Sequence, residues 1–213
     1  MTDKAASGNT ARTAEVHRKT NETDIRIKIN LDGTGQSDIK TGVGFFDHML
    51  NQIACHGLID LTIQATGDLD VDCHHTIEDT GLALGDAVAR ALGDRKGIVR
   101  MADVYVPMDE SLAFTCLDFS GRPYCVFKPA WQGEMVGNIP VSLIEHFWAS
   151  FSITSCCNLH IRVLDGRDNH HMAEAIFKSA ARAIQASTRI DPRRAGSVPS
   201  TKGTLQPKDD LPW

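Results

Sequence analysis

No stretch of this 213-residue chain approaches the apolar length needed to cross a bilayer. Residues 1–10 are small and polar, without the basic-then-apolar order of a signal peptide, so a cytoplasmic protein with a loose N-terminal tail is expected. The six cysteines show no C-x-x-C spacing, which argues against a thiolate metal site and for reduced, mostly buried thiols. An excess of positive charge is also missing. The formal net charge of −5 speaks against a nucleic-acid-binding or anionic-membrane surface, while leaving room for a small anion held by a local basic cluster. Neither an H-E-x-x-H run nor a Walker A loop occurs. Hydrophobic content of 42% and charged content of 23% are those of an ordinary globular protein.

The informative residues are histidines. His74-His75-Thr76-Ile77-Glu78 and His170-His171-Met172-Ala173-Glu174 carry the same His-His-x-x-Glu text. If each opens a helix, both histidines come within reach of the glutamate. Adjacent histidines leave a helix about 100° apart, so each pair suits two ions better than one. Each stretch follows an acid-His pair, Asp47-His48 and Glu145-His146, at separations of 26 and 24 residues from His48 to His74 and from His146 to His170. The chain thus reads as two copies of one unit. Three histidines and one glutamate per copy give eight ligands: His48, His74, His75, Glu78, His146, His170, His171 and Glu174. Eight suits two divalent ions with four protein ligands each and open positions for water or substrate. His17, His56 and His160 have no counterpart in the other copy and are expected to be spectators.

Alternation over 14–16 and 25–31, turn chemistry at 32–35, helical spacing from Phe45 to Ile53 and a strand over 59–65 lead into the helix that starts at His74 and stops at Gly93. Strands at 101–106, 111–119 and 124–127 precede a loop over 129–137 and a second helix-strand-helix run ending near Ser187. The expected fold class is α+β: a duplicated half-domain, β-β-α-β-α twice with an extra strand in the middle, helices packed on one face of each sheet. The halves are expected at 11–96 and 97–190, followed by a C-terminal loop and tail at 191–213. Two other function classes remain open at this point. One is a metal-storage or metal-binding protein, and the other is a two-metal hydrolase acting on a phosphate ester.

Seven stretches, in order, resemble imidazoleglycerol-phosphate dehydratases over residues 11–204. They are Arg18-Lys19-Thr20-Asn21-Glu22-Thr23, Gly44-Phe45-Phe46-Asp47-His48-Met49-Leu50, His74-His75-Thr76-Ile77-Glu78-Asp79, Pro107-Met108-Asp109-Glu110, Ser120-Gly121-Arg122-Pro123, Asn169-His170-His171 with Glu174, and Pro199-Ser200-Thr201-Lys202-Gly203. The resemblance implies a ribosomal protein S5 domain 2-like fold and a cytoplasmic homo-oligomer of 24 subunits, with two manganese(II) ions per active site bound between neighbours. It implies dehydration of D-erythro-imidazole glycerol phosphate to imidazole acetol phosphate in histidine biosynthesis, through a metal-stabilised imidazolate or diazafulvene-like species. Glu22 would act as base, with Glu78 and Glu174 also catalytic. Arg100, Arg122, Lys178, Ser200 and Lys202 would bind the substrate phosphate, the 191–213 segment closing over it. No nucleic acid or membrane partner is implied.

Overall fold

The computed structural model describes residues 11–194 and 196–205. The expected tail at 1–10, and the part of the C-terminal segment at 206–213, lie outside the described residues. Strands β1 (Thr13–Lys19), β2 (Thr23–Asn30), β3 (Ser37–Lys40) and β4 (Asp60–Gly67) form one sheet in the order β1-β2-β4-β3. Strands β5 (Met101–Met108), β6 (Ser111–Asp118), β7 (Tyr124–Lys128) and β10 (Asn158–Asp165) form a second sheet in the matching order β5-β6-β10-β7. In each sheet the first three neighbours pair antiparallel and the last strand joins in parallel. Helices α1 (Gly44–Gly57), α2 (His74–Leu92), α3 (Val141–Ser155) and α4 (Asn169–Thr188) complete the two copies. A two-strand ribbon, β8 (Met135–Val136) with β9 (Ile139–Pro140), interrupts the expected loop.

The duplicated α+β class stands, with one refinement. Each half is β-β-β-α-β-α, because the seemingly extra strand β7 has a counterpart in β3. The four residues Ser37-Asp38-Ile39-Lys40 hold a single apolar side chain, too little alternation to read as a strand, and β4 recruits them by parallel pairing.

Residues 25, 27 and 29 of β2 are buried while Arg26 and Lys28 face outward, so one face of the first sheet meets helices. Helix α2 packs on β1 and β2, and α4 on β5 and β6. The helices then pack across the halves, α2 against α3 and α1 against α4, as a central layer between two sheets. Phe46 from α1, Phe147 and Trp148 from α3, and Phe177 from α4 stack there at centroid distances of 5.3 Å (Phe46–Phe147), 5.6 Å (Phe147–Phe177) and 5.0 Å (Trp148–Phe177). All four are fully buried, each contributing about 1.5–3 kcal/mol by leaving water. This crossed helix packing brings histidines from different halves together.

The six cysteines are unpaired, and the expectation of mostly buried thiols fails: Cys55 and Cys116 are exposed, and Cys157 alone is fully buried. Burial pushes the Cys157 thiol up to about 12, which keeps it protonated and inert.

Candidate active site

The eight sequence-derived ligands fall into two groups of three and two single residues. His48, His170 and Glu174 present ligand atoms within 4.8 Å of one another, as do His74, Glu78 and His146. Each group crosses the halves: His48 on α1 meets α4, and His146 on α3 meets α2. In each, two imidazole Nε2 atoms converge on one carboxylate oxygen. His48 and His170 approach Glu174 Oε1 at 2.9 Å and 3.1 Å, and His74 and His146 approach Glu78 Oε2 at 3.5 Å and 3.3 Å. His146 Nε2 is buried without a hydrogen-bond partner and faces Glu78 Oε2, an arrangement that a cation would satisfy. Two nitrogens and one hard oxygen suit a first-row divalent ion.

His75 and His171 stand outside these groups, so the expectation that both histidines of each pair reach the glutamate holds only for His74 and His170. Adjacent side chains leave a helix about 100° apart, and the second ring of each pair turns to other carboxylates. His75 Nδ1 lies 2.9 Å from Asp68 Oδ2, and His171 Nδ1 lies 2.8 Å from Glu110 Oε2. These hydrogen bonds raise the pKa of both rings, and they turn each Nε2 outward. A second carboxylate flanks each Nε2, Glu22 at 3.7 Å from His75 and Asp109 at 3.8 Å from His171. Glu22 belongs to the β1–β2 hairpin and Asp109 to the equivalent β5–β6 hairpin, where it adopts φ 48°. Spacing alone does not reveal Asp68, Glu110 or Asp109, because loop carboxylates carry no periodicity. The overlap of the two hairpins in the repeat is the signal that could have pointed to Asp109.

Glu110 also accepts the backbone N–H groups of Arg167 and Asp168, at 3.2 Å and 3.0 Å. Together with His171 these donors hold its carboxyl well below the usual carboxylate range. Partial burial works to raise the Glu174 pKa, yet the Lys178 ammonium and the His48 and His170 rings together hold it at about 2. Asp72 accepts the His74 N–H at the start of α2 at 2.6 Å, and Asp168, the cap of α4, accepts the N–H groups of His170 and His171 at 2.7 Å and 3.3 Å, so carboxylates orient both helix starts. The expected spectators have ordinary partners, His17 with Asp24 and His56 with Gln52.

The phosphate candidates are not all brought together within one chain. Arg100 forms a two-point ion pair with Asp118 and donates to the Pro199 carbonyl at 2.8 Å, which places Ser200 close by. Arg122 lies on the adjoining turn, and its carbonyl accepts from Asn158. Lys202 is exposed, its N–H bonded to Ser200 Oγ. Lys178 sits elsewhere, against Glu174 and Met108 Sδ. Arg100 precedes β5 and Met108 ends it, so eight residues at about 3.3 Å each put the arginine pole roughly 25 Å from the His171 pole.

A family profile for imidazoleglycerol-phosphate dehydratase matches residues 41–184. The chain belongs to the imidazoleglycerol-phosphate dehydratase family. It is therefore an enzyme, a hydro-lyase. The dehydratase of Gluconacetobacter diazotrophicus is 52% identical over 197 residues, spanning 92% of this chain and 100% of that relative. That of Albidiferax ferrireducens is 54% identical over 195 residues, spanning 92% and 96%. The crystal structure of the Staphylococcus aureus dehydratase superposes with a TM-score of 0.76 at 35% identity, covering 84% of this chain and 99% of that one. The Pyrococcus furiosus dehydratase gives 0.76 at 32% identity, covering 89% and 99%. Among the described residues no helix is long and apolar enough to cross a membrane.

Proposed function

We propose that the chain dehydrates D-erythro-imidazole glycerol phosphate to imidazole acetol phosphate in histidine biosynthesis, with two manganese(II) ions per active site. The crossed His-His-Glu groups carry this reading. When bound, divalent ions supply Lewis acidity for an elimination whose proton leaves a carbon with no adjacent carbonyl. His48, His170 and Glu174 would hold one ion, and His74, His146 and Glu78 the other. His75 and His171 would each give Nε2 to an ion of a neighbouring copy, since their Nδ1 atoms are tied to carboxylates that orient them as ligands. Glu22, beside His75, would take the carbon-bound proton. Arg100, Arg122, Ser200 and Lys202 would hold the phosphate, with Lys178 reaching it from the metal pole and residues 196–205, in the described part of the C-terminal segment, closing over it.

The 25 Å between those poles supports an active site shared between copies, in which the arginine pole of one copy faces the metal pole of another. A homo-oligomer follows from that sharing, and the family resemblance gives it 24 subunits and a cytoplasmic location. The halves at 11–96 and 97–190 would then act as two metal-bearing modules. The test is direct: metal-loaded protein incubated with the substrate should form the ketone product without releasing inorganic phosphate, and chelation should stop it. Phosphate release in place of ketone would overturn the dehydratase reading for this site.

A further inference from the structure

The duplication makes the two ligand groups comparable charge by charge. Around the His74–Glu78–His146 group, Asp68 and Glu22 flank His75 and Asp72 accepts the His74 N–H at the helix start. Around the His48–His170–Glu174 group, Glu110 and Asp109 flank His171 and Asp168 caps the helix start. Three carboxylates answer three. The cations do not match. Lys178 pairs directly with Glu174, one turn along α4, whereas the equivalent position on α2 is Leu82. Arg182 follows a turn later, close enough to act on His56, and its α2 counterpart is Asp86. Arg18 on the other side is consumed by Asp79.

Exposure sharpens the difference. The Lys178 and Glu174 side chains are 16% and 10% exposed, so little water screens the ammonium, while Glu78 is 36% exposed. A dication approaching the Glu174 group meets a carboxylate already neutralised, one of its oxygens engaged, and a like charge close by. At the Glu78 group it meets a carboxylate that no lysine among the described residues engages.

Resting on the metal-binding reading above, we propose that Lys178 makes the two metal sites of each chain unequal: the His74–Glu78–His146 site fills first and holds its ion, and the His48–His170–Glu174 site fills second and exchanges. The fourth ligands do not remove this difference, because His75 and His171 are imidazoles held in the same way. Lys178 acts here through Glu174 and is a positioning residue. At limiting metal the half-loaded chain carries its ion at Glu78, and the second site sets the response of activity to free metal.

Titration of chelated, dialysed full-length protein with manganese(II), free ion being followed by electron paramagnetic resonance, tests this without an activity assay. Two classes of one ion per chain are expected, separated by roughly tenfold or more in Kd, the scale of one poorly screened charge at this range. Lys178→Met should draw the weak class toward the strong one, and Lys178→Arg, which keeps the charge, should leave the two classes apart. Glu78→Gln should remove the strong class and Glu174→Gln the weak one. Equal affinities in the unaltered protein, a weak class unmoved by Lys178→Met, or loss of the strong class in Glu174→Gln would each overturn the inference. Failure of the unaltered protein to bind any ion would overturn the metal reading and this inference with it, whereas equal affinities overturn this inference alone.

Discussion

Gly81→Ala should loosen one metal site by moving two helices apart. A Cβ built on Gly81 of α2 would lie 2.7 Å from the Phe147 carbonyl oxygen of α3, where ordinary contact begins at 3.4 Å, and Ser150 Cβ stands at 3.1 Å. The obstacle is backbone, so relief requires a shift of the helices by several tenths of an ångström. Phe147 follows His146 directly, and Glu78 lies one turn before Gly81, so the shift falls on the pair that shares Glu78 Oε2. Overpacking of this kind costs about 1–3 kcal/mol, partly offset by the better helix propensity of alanine, about 1 kcal/mol. A net loss of up to about 2 kcal/mol should lower Tm by roughly 2–4 °C per kcal/mol in a chain of this size. Displacements near 1 Å cost catalytic sites roughly a hundredfold, so a shift of several tenths of an ångström should still be felt more in kcat and in manganese retention at the proposed Glu78 site than in Tm. Thermal denaturation of metal-free protein, together with metal analysis after dialysis, measures both effects. If Gly81→Ala keeps the native Tm and both ions, the close helix contact does not set the site, and the reasoning is wrong.

Glu110→Ala frees His171 Nδ1 and the N–H groups of residues 167 and 168, and should weaken manganese binding in the assembled protein by roughly ten- to a hundredfold, as removal of a ligand-orienting carboxylate usually does; equilibrium dialysis reads it, and unchanged affinity would separate His171 from the ions. Arg100→Ala should raise KM for the phosphorylated substrate by roughly ten- to a hundredfold with metal content intact, the loss of a charge-assisted contact; a native KM would refute the phosphate assignment. Asp60 accepts the backbone N–H groups of Thr34, Gln36 and Gly35 and the Asn30 amide, which lower its pKa in the folded state. Its contribution to stability is therefore present above the unfolded value near 3.8 and lost as pH falls below it. Tm measured from pH 6 to pH 3 should fall less steeply in Asp60→Asn than in the unaltered chain, and parallel curves would argue against this linkage. On the shared-site reading, chelation should reduce the particle mass seen by light scattering, because ions shared between copies would stabilise the assembly in proportion to the logarithm of their concentration; a full-mass particle stripped of metal would confine each site to one chain.

The candidate ligands were legible because a repeat doubles every signal: six histidines and two glutamates fall in matched places, and helix periodicity separates His74 from His75 and His170 from His171. The partnerships were hidden. His48 is 26 residues from His74 and far from His170 in sequence, yet it joins His170, because α1 packs on α4 and α3 on α2. Nothing in local patterning encodes which helix crosses which; the buried ring stack of Phe46, Phe147 and Phe177 and the close contact at Gly81 decide it. Strand β3 escaped notice because its order comes from β4. The orienting carboxylates Asp68 and Glu110 lie in loops where sequence gives no period, and the distance from Arg100 to His171 follows from a strand running straight between them.

Manganese-edge anomalous diffraction from metal-loaded crystals tests the central claim most directly. Two anomalous peaks per chain are expected, one among His48, His170 and Glu174 and one among His74, His146 and Glu78, each also touched by His75 or His171 of a neighbouring copy. A single peak, or peaks bound within one half of the chain with His48 beside His74, would contradict the crossed two-site account.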